Sequence, residues 1–203
     1  MLFILTGHIQ TGKTRWLQAL IRDLEAHDVA VSGVVAPGIW CEHKDDFGRV
    51  EFEKLGITNE LLPQHEVIQL AVRDDLAEAH QSSRPDNHHH GMKMMWAFSD
   101  EAMAQVNDHF ARYLDGTAPV PDAPGMLIVD ELGRLELVGD AGLTRAMEAV
   151  SAGPSPYAKH ALIVVREMLV ELALEKLDCA EAWGGAALVY PTKADARAVM
   201  AAF

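Results

Sequence analysis

The sequence is poor in several features that mark whole classes of protein. Only two cysteines, Cys41 and Cys179, occur in 203 residues. They are too few and too far apart for a disulfide framework, and they fit free thiols in a reducing cytosol. Positive charge is scarce as well: 17 Lys and Arg against 30 Asp and Glu leave a formal net charge of −13 and a pI near 5.1. A nucleic-acid backbone needs clustered Lys and Arg, so this balance argues against a broad nucleic-acid footprint. No apolar run approaches transmembrane length, and Met1 to Leu5 is too short, and lacks the basic flank, to read as a signal segment. The expectation is a soluble, cytoplasmic chain that engages neither membrane nor nucleic acid.

What is present is ordinary for a globular protein: 49% hydrophobic and 23% charged residues. That composition and length predict one domain spanning 1–203, with an insertion at about 38–95. The most informative stretch lies at the start. An uncharged run, Leu2-Phe3-Ile4-Leu5, leads into Gly7-His8-Ile9-Gln10-Thr11-Gly12-Lys13-Thr14, which fits G-x-x-x-x-G-K-[ST] at every fixed position. The glycines allow successive backbone N–H groups to turn inward around phosphate oxygens, and the positive end of the following helix adds its dipole. In this pattern Lys13 reaches the β- and γ-phosphates and the Thr14 hydroxyl ligates magnesium. Leu17, Leu20, Ile21 and Leu24 then recur at helical spacing, so strand, loop and helix follow in the order that phosphate binding requires.

Farther on, Val29 to Val35 reads as a second strand ended by Pro37-Gly38. Alternation at Arg49 to Phe52 and an apolar run from His65 to Val72, separated by Gly56 and Pro63, predict an antiparallel hairpin insertion with one wet face. Residues 73–91 are polar and rich in turn formers, and read as a mobile loop. The adjacent His88, His89 and His90 lack the spacing that fixes a metal coordination shell, even with Cys41 and His43 to help. Ser99 is a good N-cap for a helix opened by Asp100 and Glu101.

The second half of the candidate site is Met126-Leu127-Ile128-Val129-Asp130-Glu131. A fully apolar run ending in acids resembles a central parallel strand with carboxylates at its tip. Asp130 is placed in the magnesium shell opposite Thr14, and Glu131 beside the γ-phosphate as general base for an attacking water. Charge that builds on the phosphoryl oxygens calls for a further cation. Arg166, at the end of the strand Ala161 to Val165, is preferred over Arg134 and Arg15.

Asp130-Glu131-Leu132-Gly133-Arg134-Leu135-Glu136 resembles the D-E-[IL]-G-x-[ML]-E signature of the small nucleoside-triphosphatase family that includes the cancer-related nucleoside triphosphatases. The order of the N-terminal loop, the Ser32-Gly33-Val34-Val35 strand, Trp96-Ala97-Phe98 and Val164-Val165-Arg166 is similar too. The resemblance is strongest at 1–35 and 125–138. It implies a phosphate-loop NTPase fold, a mostly parallel α/β sheet flanked by helices, and magnesium-dependent hydrolysis of the terminal phosphate of several nucleoside triphosphates. Within this chain, Ile9-Gln10-Thr11 replaces the Pro and extra Gly often found in the loop.

Other readings share the loop. A small-molecule or nucleotide kinase would add an acceptor pocket and a lid, for which the Trp40 to Trp96 region offers material. A nucleotide-gated binding module would engage a protein partner and hydrolyse slowly. Thr192-Lys193-Ala194-Asp195 imitates a guanine-reading motif, but is more simply read as an N-cap with an acid at N3.

Overall fold

A computed structural model describes residues 1–45, 47–77, 88–89, 92–93, 96–118 and 125–203. The chain opens with β1 (Leu2–Leu5), α1 (Lys13–Ala26) and β2 (Val31–Val35). An antiparallel stretch follows: β3 (Gly38–Lys44), β4 (Val50–Leu62) and β5 (Glu66–Arg73). After the short helix α2 (Asp74–Ala77) come β6 (His88–His89), β7 (Met92–Lys93) and β8 (Trp96–Phe98), then α3 (Asp100–Leu114). The remainder alternates: β9 (Gly125–Leu132), α4 (Arg134–Leu137), α5 (Thr144–Ser151), β10 (Ala158–Val165), α6 (Val170–Leu177), β11 (Ala186–Val189) and α7 (Lys193–Met200).

The nine-stranded sheet runs β11-β1-β10-β9-β2-β4-β5-β8, with β3 paired to β4 beside this path. From β11 to β2 every pairing is parallel, whereas β4, β5, β8 and β3 join antiparallel. The expected α/β sheet with an antiparallel insertion is what the chain forms. Strand parity divides the core between two faces. Phe3 and Leu5 pack with Leu17, Leu20, Ile21 and Leu24 of α1. Leu2 and Ile4 point the other way, toward Val106 and Phe110 of α3 and toward α5 and α6. Each fully buried side chain of this kind contributes about 1.5–3 kcal/mol, which is why the stripe on α1 specifies both its helix and its docking side.

Two glycines mark the closest backbone approaches in the parallel half. A Cβ on Gly33, whose φ is +109°, would stand 2.0 Å from the Ile128 carbonyl oxygen, and one on Gly125 would stand 1.9 Å from that of Ala30. Caps follow the sequence expectations. The Ser99 side chain accepts from the Ala102 N–H at the start of α3, and Thr192 accepts from the Asp195 N–H at the start of α7. Asp195 in turn accepts from the Thr192 hydroxyl and the Tyr190 N–H. The guanine-like tetrapeptide is thus occupied in capping a helix.

The insertion departs from expectation in three ways. β3 is a strand where only a break after β2 was expected. β4 is continuous through Gly56, because the absent Cβ admits the Ala71 carbonyl oxygen, which would lie 2.8 Å from it. The alternation at the start of β4 does not bury its apolar side: Val50 is 50% exposed and Phe52 64%. Within 73–91, Asp74–Ala77 is helical and His88–His89 pairs with Met92–Lys93. The rest of that stretch lies outside the described residues, as do the side chains of His88 to His90, for which no metal shell was expected. Among the described residues no helix is long and apolar enough to cross a membrane.

Candidate active site

Register brings the sequence-predicted residues to one edge of the sheet. Leu5 pairs with Val164, Ile163 with Val129, and Val34 with Val129. The carboxyl ends of β1, β10, β9 and β2 are therefore level, the edge at which open α/β sheets place ligands. β10 lies between β1 and β9, which sets Arg166 between the glycine loop and the two acids.

The loop turns on Gly7 and Gly12, with φ of 136° and 85°, and Gln10 also takes a positive φ of 61°. Gly12 stands at the N-cap position of α1 with no side-chain cap, and no acidic residue occupies the first turn. The N–H groups at that end are thus left for an external acceptor, and the helix dipole favours an anion there. Lys13 is buried and its ammonium donates to the carbonyl oxygens of Gly7 at 2.9 Å and His8 at 2.7 Å. The Thr11 hydroxyl donates to the same His8 oxygen at 2.8 Å, which tightens the turn. His8 and Ile9 themselves face outward, and His8 Nδ1 lies 3.6 Å from Glu167.

Asp130 continues the parity of Met126 and Ile128 on β9, so its carboxylate points to the face that carries α1. It is 2% exposed. Its Oδ2 accepts the Ala36 N–H at 3.1 Å, and the Thr14 side chain lies near enough to the carboxylate to favour its ionised form. Burial pushes its pKa up to about 6; the Ala36 hydrogen bond and the nearby Thr14 side chain oppose that rise, and the neighbouring Glu131 adds to it. Glu131 follows across a cis peptide bond and accepts from Arg166 Nε at 2.7 Å. Arg134 is exposed on α4. Glu136, the last acid of the motif, is buried and accepts the N–H groups of Gly133 and Leu143 at 2.9 and 3.1 Å. Its place is structural: it closes the turn that follows the strand tip.

A hard divalent cation fits this donor set. Thr14 and Asp130 offer a hydroxyl and a carboxylate near one another, and a cation beside Asp130 would offset the desolvation that raises its pKa. Among the described residues no group of three or more His, Cys, Asp or Glu gathers to hold a metal. Magnesium shared with phosphate oxygens needs only one or two protein ligands.

One side chain at this edge is not singled out by the sequence patterns. Lys54, half-buried on β4, lies within the electrostatic reach of Glu131, Asp130 and Arg166. The sequence signal for it is weak, because a lysine on the polar side of an insertion strand looks like any solvated charge.

A mostly parallel sheet, a glycine loop at its first strand and a helix on that loop define a fold of the phosphate-loop NTPase type. No family model matches the chain, and no curated protein matches it. Among solved structures it is similar to the solution structure of a human cancer-related nucleoside triphosphatase, with a TM-score of 0.59. The match spans 98% of this chain and 93% of that one at 15% identity. At that identity the likeness speaks for the fold.

Proposed function

We propose that the protein hydrolyses the terminal phosphate of nucleoside 5′-triphosphates, ATP among others, with magnesium. The observation that carries this reading is the closeness of Thr14, at the exit of the glycine loop, to the buried carboxylate of Asp130, at the tip of β9. Loop and strand-tip acid together form the arrangement that holds nucleotide phosphates and their metal. The structural neighbour is named a nucleoside triphosphatase, which points the same way.

In this mechanism the N–H groups from Gly7 to Gly12 cradle the phosphates, and Lys13 exchanges its loop carbonyls for β- and γ-phosphate oxygens. Thr14 and Asp130 would hold magnesium, which when bound would supply positive charge to the phosphates. Glu131 accepts a proton from the water whose oxygen forms the new bond to the γ-phosphorus. The bond to the bridging oxygen breaks, leaving a nucleoside diphosphate and inorganic phosphate. Arg166 orients Glu131 and supplies positive charge beside it.

The test is phosphate release from the purified protein with ATP, GTP, CTP and UTP, with and without magnesium, and with and without a pool of small metabolites. Release from several triphosphates that needs magnesium but no acceptor is expected. Transfer only when the pool is present would make the protein a kinase. Strict dependence on GTP would return Thr192 to Asp195 to base recognition. Tight binding without turnover would make it a nucleotide-gated binding module with a protein partner.

A further inference from the structure

The antiparallel extension sends one cation back to the candidate site. Lys54 pairs with Trp40 across β3 and β4, and its stem runs over Gly38. A Cβ at Gly38 would stand 2.6 Å from Lys54 Cε and 2.7 Å from Trp40 Nε1, so that glycine leaves the channel the stem occupies. At its end the ammonium lies 5.2 Å from the centre of the Trp96 ring. Backbone, Trp40 and Trp96 thus fix the path of the side chain, and its charge lies within reach of Asp130, Glu131 and Arg166 at the strand tips.

The other cations of the edge are already engaged. Lys13 donates to Gly7 and His8, and Arg166 to Glu131. Among the described residues the Lys54 ammonium makes no ion pair within 4 Å and no hydrogen bond; it faces the Trp96 ring, with Glu131, Asp130 and Arg166 within electrostatic reach. An ammonium carries three donors, and an aromatic ring satisfies none of them, so on this half-buried side chain they are left to solvent or to a ligand. Burial lowers its pKa, while the charges of Glu131 and Asp130 favour its protonated form and Arg166 opposes it. A partner that would satisfy it is a compact anion rich in oxygens, close to those acids and with its own charge offset by a cation.

We infer that Lys54 is a cationic finger supplied within the chain by the antiparallel extension, and that it contacts the terminal phosphate of a bound nucleoside triphosphate. The inference rests on the function proposed above. It gives the extension a role in the chemistry, since Lys54 carries across the sheet a charge that the loop and Arg166 do not supply. Nucleoside diphosphates, which lack the terminal phosphate, do not engage it.

The experiment compares equilibrium binding of magnesium with ADP and with the β,γ-methylene analogue of ATP, alongside phosphate release, for the wild type, Lys54→Met and Lys54→Arg. Met keeps the apolar stem against the two tryptophans, and equal melting temperatures check that the fold is retained. Wild type is expected to prefer the triphosphate analogue. Lys54→Met should lose about tenfold or more of that preference with diphosphate affinity little changed, and turnover should fall with it. Lys54→Arg should restore part of both. Lys54→Met with an undiminished preference would overturn the inference while leaving the proposed function intact. A wild type that binds neither nucleotide would overturn the proposed function first.

Discussion

The Thr14 side chain and the buried carboxylate of Asp130 are neighbours at the sheet edge, one at the start of α1 and the other at the end of β9. Their closeness sets the loop beside the strand tip. Asp130→Asn keeps an oxygen for the Ala36 N–H and removes a charge whose burial is unfavourable, so the melting temperature should not fall. The magnesium concentration giving half-maximal phosphate release should rise about tenfold or more. An unchanged magnesium dependence would remove Asp130 from the metal shell.

Lys13 holds the loop closed on itself through two carbonyl oxygens. Lys13→Ala removes charge-assisted hydrogen bonds to phosphate, each worth about 1.5–3 kcal/mol, so triphosphate affinity should drop about 100-fold or more. Titration with a fluorescent triphosphate analogue measures it. Affinity equal to wild type would mean that nucleotide does not bind in this loop.

Glu131 and Arg166 share a hydrogen bond of 2.7 Å, yet the two should respond differently to substitution. Glu131→Gln keeps the shape and still accepts from Arg166, but cannot take up a proton. Turnover should fall about 100-fold to 10,000-fold at similar Kd, the range for loss of a general base. Arg166→Ala should lower kcat more than affinity. Single-turnover phosphate release separates these outcomes from slow product release. Near-normal release by Glu131→Gln would mean that the base lies elsewhere, and an effect of Arg166→Ala on melting temperature alone would return that residue to the scaffold.

Local patterns made half of this arrangement readable. The loop motif and the i, i+3, i+4, i+7 stripe of α1 are short-range signals, and the apolar run before Asp130 announces a central strand. Other features depend on contacts between distant segments. The strand β3 escaped because Trp40 to Lys44 are all exposed and present no alternating buried side. Gly56 looked like a break, but it marks close strand packing, as the Ala71 carbonyl oxygen shows. Lys54 depends on cross-strand register, on Gly38 and on Trp96 together, and no single window contains them. Glu136 was legible as a motif position, whereas its structural work as acceptor for Gly133 and Leu143 was not.

Gly33 tests the packing that brings β2 against β9. Gly33→Ala would drive a methyl group into the Ile128 carbonyl oxygen at 2.0 Å and impose a φ of +109° on a residue with a Cβ. Both effects act in one direction, and a loss of about 3 kcal/mol or more is expected. Urea unfolding measures it. A variant as stable as wild type would show that the two strands are not in this register.

His65 ties the extension to the first helix and should make stability depend on pH. Its Nδ1 lies 2.6 Å from Glu60 on β4 and its Nε2 3.0 Å from Glu25 on α1. The hydrogen bond to Glu60 raises its pKa above the usual 6.5, burial opposes that rise, and the charge of Glu25 adds to it. A raised folded value means that the protonated imidazole favours the folded state. The contribution is therefore fully present below 6.5, while both glutamates stay ionised, and is lost as pH rises through the folded value. Nearly half of the side chain is exposed, so solvent screening should hold the effect below about 1 kcal/mol. His65→Asn suits the positive φ of 56° at this position. Compared by urea unfolding at low salt, wild type should exceed this variant near pH 6 and converge on it at a pH well above the folded value. A gap of the same size at both values would show that the imidazole acts through packing and not through its charge.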